Sequence, residues 1–195
     1  DHRDLHSFPT RRSSDLPQYD GYAEDLIPPQ HYKDYYYPND RAATFWYHDH
    51  AVMHTARNVY MGLAGMYIVE YNDHDFCEPG AQELLPQEEF DIPLLIQDKR
   101  LSPDGELIFN DRAHRGVYDD VVLVNGVPWP RMNVKNRKYR FRVLNGGPSR
   151  TLSLEARVKH SDGTLEPVNL HVVASDSGLL SAPVTTKNLD RKSVV

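Results

Sequence analysis

The chain has 195 residues, 39% of them apolar and 10% aromatic, a globular composition that can supply the core of one sizeable domain or two small ones. Its 28 acidic and 22 basic side chains leave a formal net charge of −6, and no segment gathers Lys and Arg into a phosphate-binding stripe, which argues against a nucleic-acid partner. No apolar run approaches the roughly 18 residues of a membrane-spanning helix, so no membrane span is expected.

The first sixteen residues, DHRDLHSFPTRRSSDL, carry charges and turn formers but no period of 2 or 3.6. They match one reading frame of a common sequencing-library adapter, and the last six, DRKSVV, match its complementary strand. Residues 1–16 and 190–195 are therefore expected to pack against nothing, and about 17–189 to be the sequence that folds. The lack of a signal-peptide core at the start then carries no information about compartment.

Beyond residue 17, turn signals separate short alternating segments, the pattern of a β-sandwich. Pro38-Asn39-Asp40 turns the chain. The next strand, Ala43 to His50, places Phe45, Tyr47 and Asp49 on one face and Trp46, His48 and His50 on the other. Thr55 to Met61 has the length of about two helical turns before Gly62, and Gly65 to Tyr71 alternates again. Residues 72–89, acidic and broken by Pro and Gly, read as a linker that contains the single Cys77. A free thiol and a bridge to a residue outside this sequence both remain open for Cys77. FDIPLLIQD, DDVVLVNG, KYRFRVLN, TLSLEAR and VNLHVVA follow as strands of a second β unit. In KYRFRVLN, Tyr139, Phe141 and Val143 are expected to face a core, and Arg140 and Arg142 solvent.

His48 and His50 are the strongest chemical signal. Side chains two apart on a strand share a face with Cα atoms about 7 Å apart, so the two imidazoles can serve one cavity. Imidazole suits Zn, Cu, Ni and Fe alike, and a hydrogen-bonded pair of histidines would give the same pattern. His54 joins them only if the chain folds back. A cupin would need a Glu soon after the pair and a metallo-hydrolase an Asp just before the third His; Val52 and Met53 stand there and the next Glu is Glu70. His31, His74, His114, His160 and His171 stand singly and read as surface or hydrogen-bonded residues. Ser175 and Ser177 lack the G-x-S-x-G elbow of a nucleophile.

The surroundings of the pair narrow the choice. DGYAEDL (20–26), YKDYYYPN (32–39), TFWYHDHA (44–51), TARNVYMGLAGMYIV (55–69), FDIPLLI (90–96), LVNGVPWP (123–130), RKYRFRVLN (137–145) and ASDSGLL (174–180) together resemble the multicopper oxidases, among them the bilirubin oxidases and spore-coat laccases. KDYYYPN leans toward the former. The resemblance implies an all-β fold of cupredoxin-like Greek-key β-sandwich domains. Residues 17–71 would be the end of a first domain, 72–89 a linker and 90–189 most of a second. It implies four copper ions in the intact protein, with His48 and His50 as ligands of the two type 3 coppers. Asp20 would be a proton relay, since reducing O2 to two waters consumes four protons in a closed site. The remaining ligands, including the type 1 cysteine, would lie outside this sequence. O2 and a small-molecule reductant, phenolic or tetrapyrrole-like, would be the reaction partners, and the location extracellular or in the cell envelope. Cys77 matches no copper motif, and His54 stands where the relatives carry an apolar residue.

Overall fold

β-Branched and aromatic residues fill strand segments such as TFWY (44–47) and VVLV (121–124), and turn residues with positive φ separate several of the strands. The structure is a computed structural model that describes residues 21–39, 42–70, 85–110, 112, 116–175 and 178–191, with the side chains of 190 and 191 excepted. Strand β1 (Ala43–His48) pairs antiparallel with β2 (Ala64–Val69), with Tyr47 opposite Gly65 and His48 opposite Ala64. A Cβ on Gly65 would lie 2.6 Å from the Tyr47 hydroxyl, so the Tyr47 ring can cross the sheet only over a glycine. Helix α1 (Thr55–Tyr60) joins the two strands. Gly62 ends it at φ 112°. Gly62 N donates to Val59 O at 3.1 Å and Leu63 N to Asn58 O at 2.9 Å, the paired bonds of a Schellman stop.

The second unit is built on β3 (Asp91–Lys99), flanked by antiparallel β4 (Val121–Val124) and parallel β6 (Arg140–Asn145). Short β5 (Val127–Pro128) completes the order β5-β4-β3-β6. Asn125 (φ 51°) and Gly126 (φ 80°) turn β4 into β5, as two-residue hairpins with positive φ at both centres require. The Asn125 side chain also caps β3, accepting from Leu95 N at 2.8 Å and donating to Pro93 O at 2.9 Å. β7 (Leu152–Leu154) pairs with β12 (Leu189–Arg191), β8 (Arg157–Lys159) with β9 (Leu165–Pro167), and β10 (Leu170–Ser175) with β11 (Gly178–Thr186). Among the described residues no helix is long and apolar enough to cross a membrane.

Three expectations change. TLSLEAR is not one strand: the chain breaks after Leu154, and β8 and β9 form a short, exposed hairpin around the Ser161-Asp162-Gly163 turn. Asp190 and Arg191 do not stand free, because their backbone pairs with Ser153 and Leu152. Residues 190–195 were expected to pack against nothing. Ladder hydrogen bonds need only extended backbone beside an open edge, whatever side chains it carries. Residues 1–16 and 192–195 lie outside the described residues.

The third change is the face of β6. Arg142 is 9% exposed, whereas Phe141 and Val143 are 45% and 38% exposed. The cause is Asp91 on the neighbouring strand, opposite Arg140 in register. Arg142 Nε donates to Asp91 Oδ1 and Oδ2 at 3.0 and 3.1 Å and its Nη2 to Oδ2 at 2.6 Å, while Nη1 donates to Thr44 Oγ1 on β1. Arg140 Nη1 lies 3.4 Å from the same carboxylate. The guanidinium therefore faces the junction with the first unit and finds its partners there. The opposite face carries Phe90, Tyr139 and Phe141, with the Arg137 guanidinium 3.4 Å above the Phe90 ring. Arg142→Met leaves the Asp91 side chain, only 11% exposed, with the Arg140 guanidinium at 3.4 Å as its remaining cation, and is expected to cost about 3 kcal/mol in urea unfolding. Adding Asp91→Asn, which removes the underpaired charge, should recover part of that loss.

Candidate metal centre

His48 ends β1, opposite Ala64, and His50 follows in the loop that leads into α1. Ring contacts place both imidazoles on the Trp46 side. The indole stacks on the His48 ring with centroids 4.4 Å apart, and the His48 and His50 ring centroids are 5.6 Å apart at 34°. His48 is half-buried and His50 exposed. The His48 Nδ1 donates to the carbonyl of Asp49 at 2.7 Å. A carbonyl can only accept, so the proton sits on Nδ1 and the lone pair on Nε2 is free for a metal ion.

Asp49 points the other way, as the alternation requires. Its Oδ2 accepts from Asn58 Nδ2 at 2.9 Å and from Ala51 N at 3.2 Å. The loop is tied on its far side as well, Val52 N donating to Ala23 O at 3.2 Å. His54 is the N-cap residue of α1, exposed, and makes no side-chain cap bond. Among the described residues no three His, Cys, Asp or Glu side chains converge on one point. Asp20 and Cys77 lie outside the described residues, as do His74 and His114. Of the other histidines, His31 Nδ1 donates to Pro29 O at 3.1 Å, His160 meets Glu166 at 2.9 Å and His171 meets Thr185 Oγ1 at 3.0 Å.

The end of α1 is the most buried point among the described residues. Val59 is 3% exposed and Tyr60 fully buried. The Tyr60 hydroxyl donates to Asp119 Oδ2 at 2.6 Å, lies 2.8 Å from Ile108 O and accepts from Arg100 N at 2.7 Å. Lys99 Nζ donates to the Tyr60 carbonyl and sits 4.2 Å from the centre of its ring. Arg150 Nε binds Asp98 Oδ2 at 3.0 Å, and Asp119 N donates to the same oxygen at 3.0 Å. None of Asn58, Tyr60 and Asp119 stands out in the sequence. Only the unbroken run TARNVYMG hints that this turn is constrained.

Burial raises the Tyr60 phenol from 10.0 to about 12, with the Asp119 hydrogen bond acting in the same direction. Burial lowers Lys99 from 10.5 to about 8 against the opposing pull of Asp98 and Asp119. Between about pH 8 and 10.5 the unfolded chain holds a Lys99 proton that the folded chain has lost, so stability rises with pH there. Between 10.0 and about 12 the folded chain keeps the Tyr60 proton that the unfolded chain has lost, so stability falls. Urea midpoints should therefore crest at about pH 10 for this junction. Lys99→Met should flatten the rising limb and Tyr60→Phe the falling one.

The donor set agrees with a transition metal that takes imidazole nitrogen, and two imidazoles are too few to close a mononuclear site. Comparison with known proteins supplies the class. A family model described as "Multicopper oxidase" matches residues 5–74, a span that holds the histidine strand and begins within the first sixteen residues. The bilirubin oxidase of Albifimbria verrucaria is 42% identical over 175 residues, covering 88% of this chain and 29% of that protein. A laccase of Bacillus stratosphericus is 38% identical over 165 residues, covering 77% of this chain and 30% of that protein. Among solved structures, the McoA multicopper oxidase of the hyperthermophile Aquifex aeolicus superposes with a TM-score of 0.69 at 36% identity, covering 79% of this chain and 32% of the other. The strands described above are thus parts of cupredoxin-like domains. The chain belongs to the multicopper oxidase family, whose cofactor is copper, and spans under a third of the length of these relatives.

Proposed function

We propose that His48 and His50 ligate the type 3 copper pair of a multicopper oxidase, one imidazole to each ion. In the intact protein, electrons from a phenolic or tetrapyrrole-type reductant would reach O2 and reduce it to water. The imidazole pair carries this reading: two rings 5.6 Å apart on one side of a strand end, in a chain of this family, with the His48 Nε2 left free. Copper, when bound, supplies the one-electron chemistry that no side chain here has. The residues of this chain hold and aim it. Trp46 walls one side of His48, and the Asp49 carbonyl fixes its tautomer.

Asp20 is the proposed proton carrier. The Ala23 carbonyl, three residues on, accepts from Val52 N in the histidine loop, which supports a place for this segment beside the site. Four protons are consumed for each O2 reduced to two waters, and a carboxylate at the edge of a closed site can relay them. Reading the gene past both ends of this chain tests the proposal. An upstream H-x-H and a downstream H-C-H are expected, to complete the four-copper set. If neither is there, the second reading takes over, a cupredoxin-like copper-binding or structural protein without turnover.

A further inference from the structure

Asp49 stands between the two proposed ligands with its main-chain N and O and its Oδ2 all engaged. Its N donates to Leu63 O at 3.1 Å, its carbonyl takes the His48 Nδ1 proton at 2.7 Å, and its Oδ2 takes Asn58 Nδ2 at 2.9 Å. The orientation of the Asp49 carbonyl, and with it the direction of the His48 ring, is thus tied to Asn58. Asn58 lies on α1, whose last residue, Tyr60, is fully buried against Lys99, Arg100, Ile108 and Asp119 of the second unit. A helix of six residues transmits a rotation at one end directly to the other, since each backbone bond spans four of them.

We propose that Asp49 and Asn58 are positioning residues for His48, and that the second β unit sets their geometry through its grip on Tyr60. The proposal rests on the reading of His48 as a ligand and adds to it how the ring is aimed. A ligating histidine whose second nitrogen is held by a fixed acceptor loses little freedom on binding, and disturbing that acceptor costs about 10–100-fold in metal affinity. Here the acceptor is a main-chain carbonyl, so the residues that fix the peptide do this work. Tyr60→Phe acts from farther away and should cost only a few-fold, because the ring still fills its site.

The test has two readouts on the 195-residue chain. The first is nitrogen-15 NMR of the imidazoles without metal, at a pH where they are neutral. His48 should show its proton on Nδ1 in the unsubstituted chain and a mixture of tautomers in Asn58→Leu and Asp49→Ala. Asp49→Asn keeps an acceptor for Asn58 and should restore the single tautomer. The second readout is titration with Cu2+, in which Asn58→Leu should weaken binding by about 10–100-fold. Each variant is compared by circular dichroism at a temperature where it is folded, so that loss of fold is not read as loss of aim. If Asn58→Leu leaves the single Nδ1 tautomer in place, the positioning proposal is overturned. If His48→Ala and His50→Ala leave the Cu2+ titration unchanged, the ligand reading fails instead, and the tautomer result still decides the positioning.

Discussion

Supplied with copper and a phenolic reductant, the 195-residue chain is expected to take up no oxygen and to develop no blue absorption, whereas the proposed function requires the intact protein to do both. Reducing O2 to two waters takes four electrons, and the described residues bring two imidazoles and no third donor to the site. Metal bound by two side chains stays mostly solvent-ligated, without the fixed geometry that sets a potential. The chain spans 29% of its bilirubin oxidase relative, which leaves ample sequence for the other ligands. In the intact protein, His48→Ala or His50→Ala should lower turnover by at least about 100-fold, because removing partners beyond the ligands alone costs about 10–100-fold. Oxygen-electrode traces and visible spectra on both proteins check this. Oxidase turnover by the short chain would mean that its ligand set is complete without the rest of the protein.

Tyr60→Ala is expected to be the most damaging single substitution for stability, costing on the order of 5 kcal/mol. Removing a fully buried aromatic ring loses its transfer energy and leaves a cavity, about 3–5 kcal/mol. The hydroxyl also serves Asp119 Oδ2 and Arg100 N, and a buried group left without its partner adds about 1–3 kcal/mol. Domains of this size hold only about 5–15 kcal/mol in all, so the first unit should come loose from the second. Urea unfolding gives the total. Amide exchange at α1 and β1, faster than in β3, would show that the junction opens first. A loss under about 1 kcal/mol would mean that the contacts around Tyr60 are not what joins the two units.

Exposed apolar side chains fit a chain that represents part of a larger assembly. Val127, Trp129 and Val134 are 52%, 66% and 61% exposed along the segment after β4. Isolated exposures of this kind are ordinary, but a run of them within eight residues is an uncovered surface. Poor solubility of the isolated chain follows from it, and from the open edges of its two-stranded pairs.

Local pattern was enough for much of the first unit. Period-2 alternation placed Trp46, His48 and His50 together and Asp49 opposite, and Gly62 marked the end of a helix whose length was also legible. Both signals are properties of a few consecutive residues, set by strand pleat and by the cost of positive φ to any residue with a Cβ. Alternation failed at β6 because it cannot say which of two faces is buried. Phe141 and Val143 carry the apolar signal, yet Asp91, fifty residues away in the chain, turns the arginine face inward. The β8–β9 hairpin was missed for a different reason, since its three-residue, exposed strands are too short to show a core-facing period.

By itself the sequence determined the β class, the imidazole pair and, through its resemblance, the copper family. How that pair is held emerges only once the chain is folded. The burial of Tyr60 against Lys99 and Asp119 joins residues 39 and 59 positions apart and the Asn58 bond to Asp49 spans 9, while the proton on His48 Nδ1 is fixed by the carbonyl of the next residue, whose direction those longer contacts set. Such contacts leave no periodic trace, because a hydrogen bond between distant residues constrains only the two that make it.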